Sequence, residues 1–172
     1  MHHYDNRSIG LHWLTAALVI LLWSVGQTID WFPRGTPRVT VRSLHISVGI
    51  VLGCILLYRV WWRSTAGRRL PPAGVGTLQT LSRLVHVLLY LGILATVVLG
   101  VANVWVRGDT IFNLLTIPKF DPTNKPLRET VGDVHAVLAH AVLILAAFHA
   151  TAALMHHFFW KDDVLRRMLP GR

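Results

Sequence analysis

The chain is poor in acid, in cysteine and in charge of any kind. Only eight of its 172 residues are Asp or Glu, and 15% carry a formal charge, against roughly a quarter in an ordinary soluble domain. With 53% hydrophobic residues and a mean hydropathy of +0.49, that shortage excludes a disordered chain and argues against a soluble enzyme. A single cysteine, Cys54, lies inside an apolar run, so neither an intramolecular disulfide nor a Cys-x-x-Cys metal knuckle can form. Internal repeats and low-complexity tracts are missing too. The net charge of +9 would by itself suggest nucleic acid. The basic residues, however, separate uncharged apolar runs rather than lining one polar face, so no nucleic-acid partner is expected.

Four charge-poor stretches stand out. Residues 8–29 lie between Arg7 and Asp30, 84–106 between Arg83 and Arg107, and 134–160 between Asp133 and Lys161. Each exceeds the ~20 apolar residues needed to cross a hydrocarbon core. The fourth, 43–58, reaches that length if Arg59 snorkels and Val60, Trp61 and Trp62 continue the helix. Lipid offers the backbone no partners, so each run must be helical. The prediction is an all-α integral membrane protein embedded in lipid, a four-helix antiparallel bundle. It forms one domain over 1–172, with spans at about 8–30, 43–62, 84–106 and 134–160.

With the N-terminus inside, ten Lys and Arg, from Arg7 to Arg172, fall on the cytoplasmic side and seven on the other. Both termini are therefore expected in the cytoplasm. Trp31, Trp61, Trp62, Trp105 and Trp160 fall near span ends, as an aromatic belt requires. The first span lacks a basic leader and a small-residue cleavage site, so it is read as a retained anchor. Loops are marked by Pro33 and Pro37, by Pro71 and Pro72 with Gly74 and Gly76, and by Pro118, Pro122 and Pro126. Residues 109–125 are long enough for a small cap on the outer face.

Ten histidines are present, and eight lie within or at the edge of the spans. His2 and His3, at the terminus, receive no role. From His135 to His149 is 14 residues, about 21 Å along a helix with the two side chains only some 40° apart. His140 points about 140° away from His135. The antiparallel order places His12 at the depth of His149 and His45 at that of His135. Two transverse pairs of imidazoles suit two bis-histidine haems. Gly26 and Gly100 follow His12 and His86 by 14 residues, and Gly49 and Gly53 follow His45 by 4 and 8. These glycines make room for a flat porphyrin, although helix packing explains Gly49 and Gly53 equally well. A single buried His is more often structural, but four at two matched depths change that balance. Zinc wants four clustered ligands, and a proton relay lacks Asp or Glu partners in the spans.

IGLHWL around His12, SLHISVGI around His45, LSRLVHVLLYLGI around His86, and the run from DVHAVLAH through HHFFWKDDVLRRMLP over 133–170 together resemble the bacterial cytochrome b561 family. The resemblance covers almost the whole chain. It implies an inner-membrane four-helix bundle with two b-type haems that exchanges electrons with quinone. Similar folds serve as cytochrome b subunits of hydrogenases and formate dehydrogenases, and similar members include a superoxide:ubiquinone oxidoreductase. Carried over by position, it makes His12 and His149 the axial iron ligands of the cytoplasmic-side haem, and His45 and His135 those of the outer haem. His86 resembles a retained position that is not one of these ligands. It is expected near the inner haem, on a propionate or a quinone, or in a structural role. His140 is expected to be a core or loop-facing hydrogen bonder.

Haem supplies one-electron chemistry, and the protein sets its position and potential. Arg7 and Arg59 inside, and Arg42 and Arg128 outside, are candidate propionate partners, and topology explains many of them equally. The expected reaction takes electrons from superoxide or another one-electron donor at the outer side and reduces ubiquinone at the inner side. Arg34, Arg38 and Arg42 form a basic outer loop that either steers a small anion or is a solvated face. His156, His157, Trp160 and Lys161 are the candidate inner quinone site, with His156 about 20° and His157 about 80° from His149 in direction; interfacial anchoring is the ordinary alternative. Two other readings remain: a membrane subunit that takes electrons from a redox partner protein, and a non-redox scaffold or metal carrier. A homodimer is also left open.

Overall fold

The computed structural model describes residues 3–71 and 76–170; His2, Pro72, Gly74 and Arg172 lie outside them. Among the described residues are four long helices: α1 (Asn6–Thr28), α2 (Thr36–Thr65), α3 (Gly76–Arg107) and α4 (Lys125–Met155). All four are long and apolar enough to cross a membrane. Three start or finish well beyond their predicted limits of 43–62, 84–106 and 134–160. Amphipathic turns with arginine or lysine extend α2, α3 and α4 past the charge-free runs, because a helix need not stop where the hydrocarbon does.

Local chemistry fixes the ends. Asp5 caps α1, accepting from Ser8 N at 2.9 Å and Ser8 Oγ at 2.7 Å. Pro37 occupies the first turn of α2 and Pro126 that of α4, where no backbone donor is needed. The α4 helix runs into a widened π-helical turn over His156–Trp160, which ends at Lys161 in left-handed conformation (φ 53°).

Helix α1 packs on α2, α2 on α3 and α3 most extensively on α4, whereas α1 meets α4 only sparsely. Small residues allow the close approaches. A Cβ at Gly92 would lie 2.8 Å from Val142 Cγ2, and one at Gly53 would lie 3.0 Å from Val97 Cγ1. Gly53 is thus a packing glycine, one of the two readings the sequence left open. Leu22, Leu52, Leu56, Ile93 and Val142 form the buried core. Val142 is seven residues from both His135 and His149, so this apolar layer divides the bundle at mid-depth. Side chains such as Val137, Phe148 and Phe159 point outward, as lipid-facing residues do.

The cap predicted over 109–125 contains a two-stranded hairpin, β1 (Thr110–Ile111) and β2 (Leu115–Thr116), with Thr110 opposite Thr116. Phe112 and Asn113 turn the chain at φ 50° and 57°. The fully buried Ser43 of α2 fastens it, accepting from Phe112 N at 2.8 Å. The opposite end joins the N-terminal and C-terminal segments: Tyr4 N donates to the Arg167 carbonyl at 3.1 Å and Trp13 Nε1 to the Met168 carbonyl at 2.8 Å. Asp5 also accepts from Trp62 Nε1 and Arg68 N. Desolvation pushes its carboxyl up, but these hydrogen bonds outweigh that and hold it below the usual carboxylate range.

Candidate functional site

The helices bring the four singled-out histidines into two pairs. The His12 and His149 ring centres lie 6.3 Å apart with planes at 78°; those of His45 and His135 lie 6.4 Å apart at 81°. A metal–imidazole bond of about 2.0–2.1 Å, plus ~1.2 Å from nitrogen to ring centre, places two rings about 6.4 Å apart across one ion. Both pairs meet that spacing. His86 comes closer to His149, at 5.1 Å, too close for the same arrangement. It donates from Nδ1 to the Ser82 carbonyl on its own helix at 2.6 Å, and is exposed. Clusters of three or more His, Cys, Asp or Glu side chains placed to hold a metal ion do not occur among the described residues.

At the hairpin end, glycine backs each ring. A Cβ at Gly26 would come within 3.3 Å of His45 Cε1, and one at Gly100 within 3.1 Å of His135 Cε1. A Cβ at Gly49 would meet nothing within 4 Å. His135 Nδ1–H donates to the Thr96 carbonyl at 3.0 Å, which leaves Nε2 free to bind a metal. His45 Nδ1 lies near the Leu22 backbone but outside hydrogen-bond geometry. Thr96 and Leu22 were missed in the sequence because a main-chain acceptor leaves no residue-type signature. Spacing offered one clue: Gly92, Thr96 and Gly100 form a small-residue stripe four residues apart along α3.

At the terminal end the surroundings are cationic. Arg59 Nη2 donates to His12 Nδ1 at 2.9 Å, and the guanidinium lies 5.1 Å over the Tyr90 ring. Tyr90 was also missed; its buried hydroxyl has no partner among the described residues. Of the other three candidate propionate arginines, two are also engaged. Arg42 pairs with Asp109 at 3.4 Å, where Arg107 joins it at 3.5 Å, so the two guanidiniums share one carboxylate. Arg7 stacks on Trp62 at 4.7 Å. Arg128 stands half-buried two turns before His135 on α4. The basic outer loop expected from Arg34, Arg38 and Arg42 is mostly helix: Arg38 and Arg42 lie in the first turns of α2, started by Pro37, and Arg38 pairs with Asp30 at 3.2 Å.

Past Met155 the count of 100° per residue fails, because the wider π turn changes the direction of His156 and His157. His156 donates to Asp162 and packs on Trp160 at 4.5 Å. Burial raises the Asp162 carboxyl, but the bonds from His156 and Val164 N and the charges of His156 and Arg167 outweigh it and hold it low. His157 Nδ1 is buried without a partner, and Lys161 and Trp160 are exposed. His140 neither faces a loop nor enters the core: it is exposed, donates to the Ala136 carbonyl at 2.7 Å, and lies edge-on to Trp23.

Known proteins resemble the chain along its whole length. The family model for prokaryotic cytochrome b561 matches residues 3–171. Cytochrome b561 homolog 1 of Escherichia coli K12 is 29% identical over 176 residues, covering 100% of this chain and 99% of that protein. A probable superoxide oxidase, CybB, of Yersinia pestis is 30% identical, covering 98% and 97% respectively. Cytochrome b562 of Cereibacter sphaeroides is 26% identical over 98% of this chain and 96% of its own.

Proposed function

The chain belongs to the prokaryotic cytochrome b561 family, as a bacterial multi-pass membrane protein of b-haem electron transfer, and from that premise we propose that it holds two haems b and moves electrons from superoxide to ubiquinone. The observation that carries this reading is the pair of imidazole couples at 6.3 and 6.4 Å. His45 and His135 would hold one haem, and His12 and His149 the other. Haem iron between two imidazoles supplies reversible one-electron exchange. The overall reaction balances as two superoxide plus quinone plus two protons giving two dioxygen plus quinol. A relative named as a probable superoxide oxidase supports the donor. The cytoplasmic excess of Lys and Arg supports placing both termini, and the His12 pair, on the inner face.

The residues divide the work. His135, already held on the Thr96 carbonyl, presents Nε2 without rearrangement. Ligation through His12 Nε2 requires the ring proton on Nδ1, so Arg59 must release that atom. The guanidinium then becomes available to an anionic group such as a propionate. The apolar layer around Leu22, Leu52 and Val142 keeps water from the space between the pairs. His157, with its unpartnered Nδ1, is the stronger quinone contact of the terminal turn, since His156 is committed to Asp162; Trp160 and Lys161 flank it. The test is haem stoichiometry in purified wild type, His45→Ala and His149→Ala. Two haems per chain, with a spectrally different one lost in each variant, support the assignment. Unchanged haem content in both variants would overturn the ligand pairs.

A further inference from the structure

A groove of about 740 Å³ opens between α2 and α3 toward the terminal end of the bundle. Its walls are apolar: Leu57, Val60, Val87 and Leu91 are each about half exposed or more, so the groove faces the lipid side. Its mouth is different. Arg63, Arg68 and Arg69 line it, all exposed, and among the described residues no carboxylate pairs with any of them. Arg63 lies 6.0 Å from the Tyr4 ring. Arg68 gives one donor to the His3 carbonyl at 3.3 Å, and Arg69 one to the Ser64 carbonyl at 3.1 Å. Each guanidinium has five N–H donors, so most remain open. The nearby carboxylate, Asp5, is already filled by Ser8, Trp62 and the Arg68 main chain. Three unneutralised cations at the level of a membrane interface, above an apolar trough, call for an amphiphile whose head is an anion.

We propose that this groove binds one anionic phospholipid of the adjoining leaflet, with its phosphate on Arg63, Arg68 and Arg69 and an acyl chain along Leu57, Val60 and Leu91. Several parts of the chain meet there: Tyr4 and the arginines come from the N-terminal segment, the end of α2 and the connection after it. The Arg167 side chain ties the C-terminal tail to the same connection through the Pro71 carbonyl at 2.8 Å. A phosphate in the mouth would therefore fasten the termini to α2 as well as fill the groove. A neutral quinone head would leave the three charges uncompensated, so the rim favours the anion.

Native mass spectrometry of the haem-loaded protein, titrated with phosphatidylglycerol or phosphatidylcholine, tests the site. The expected result is one phosphatidylglycerol retained per chain, at least tenfold more tightly than phosphatidylcholine, because only its head brings a net anion to the three arginines. The triple variant Arg63→Gln, Arg68→Gln, Arg69→Gln should lose that preference with its haem spectrum intact. Leu91→Trp, which fills the trough and keeps the charges, should lose the retained lipid as well. Equal retention of both lipids by the wild type would overturn the proposal, as would a triple variant that still prefers phosphatidylglycerol. Displacement of the lipid by stoichiometric decylubiquinone would overturn it in favour of a quinone site.

Discussion

At the hairpin end, His45 and His135 are backed by Gly26 and Gly100, and His135 is held by a main-chain carbonyl. The nearby arginine, Arg42, shares the Asp109 carboxylate with Arg107. At the terminal end, His12 and His149 share their space with a third imidazole, His86, and an unneutralised Arg59. One pair is positioned by shape and the other by charge. Shape fixes a site before its cofactor arrives; charge waits for a counterion. The hairpin-end pair should therefore respond to changes of volume, and the terminal-end pair to changes of charge.

The sharpest way to break this contrast is to add volume. Gly100→Val places side-chain atoms where even a Cβ comes within 3.1 Å of His135. It should abolish one haem of two while the other stays, read as haem per chain and as loss of one component in the reduced-minus-oxidised spectrum. If both haems persist, shape is not what defines that end. Next in size is charge. Arg59→Gln should lower the reduction potential of the terminal-end haem by on the order of 50 mV, about 1 kcal/mol for one nearby charge. Arg42→Gln should move the other haem by less, since the Asp109 carboxylate, shared with Arg107, offsets part of its charge. Equal shifts in a redox titration would remove the distinction. The smallest effect belongs to the cap. Ser43→Ala removes the acceptor of Phe112 N, costing about 1 kcal/mol. It should raise hydrogen exchange in the hairpin without altering either haem.

The sequence made the helices and the histidine pairs legible for one reason: an antiparallel bundle converts residue number into depth. His12, His45, His135 and His149 could be ranked along the membrane normal by counting from the charged ends of each run. What it hid depends on direction rather than depth. Nothing in residue types distinguishes Arg42, paired with Asp109 across a loop, from Arg59, turned inward onto His12. The π turn after Met155 defeated the angular count for His156 and His157 because it changes the residues per turn itself. The Tyr90 hydroxyl and the groove beside it arise from the spacing of α2 and α3, which no single run encodes.

The layer of Leu22, Leu52, Leu56, Ile93 and Val142 between the pairs also has an electrical meaning. The pairs are 14 residues apart on one continuous helix, about 21 Å of a hydrocarbon core roughly 30 Å thick. A charge displaced between them crosses about two-thirds of the membrane's potential drop. At ~2.3 kcal/mol per 100 mV for a full crossing, each inward electron would work against about 1.6 kcal/mol per 100 mV of inside-negative potential. Traffic through this protein would then be voltage-dependent, slowing as the membrane becomes more highly energised, with no moving part to sense the field.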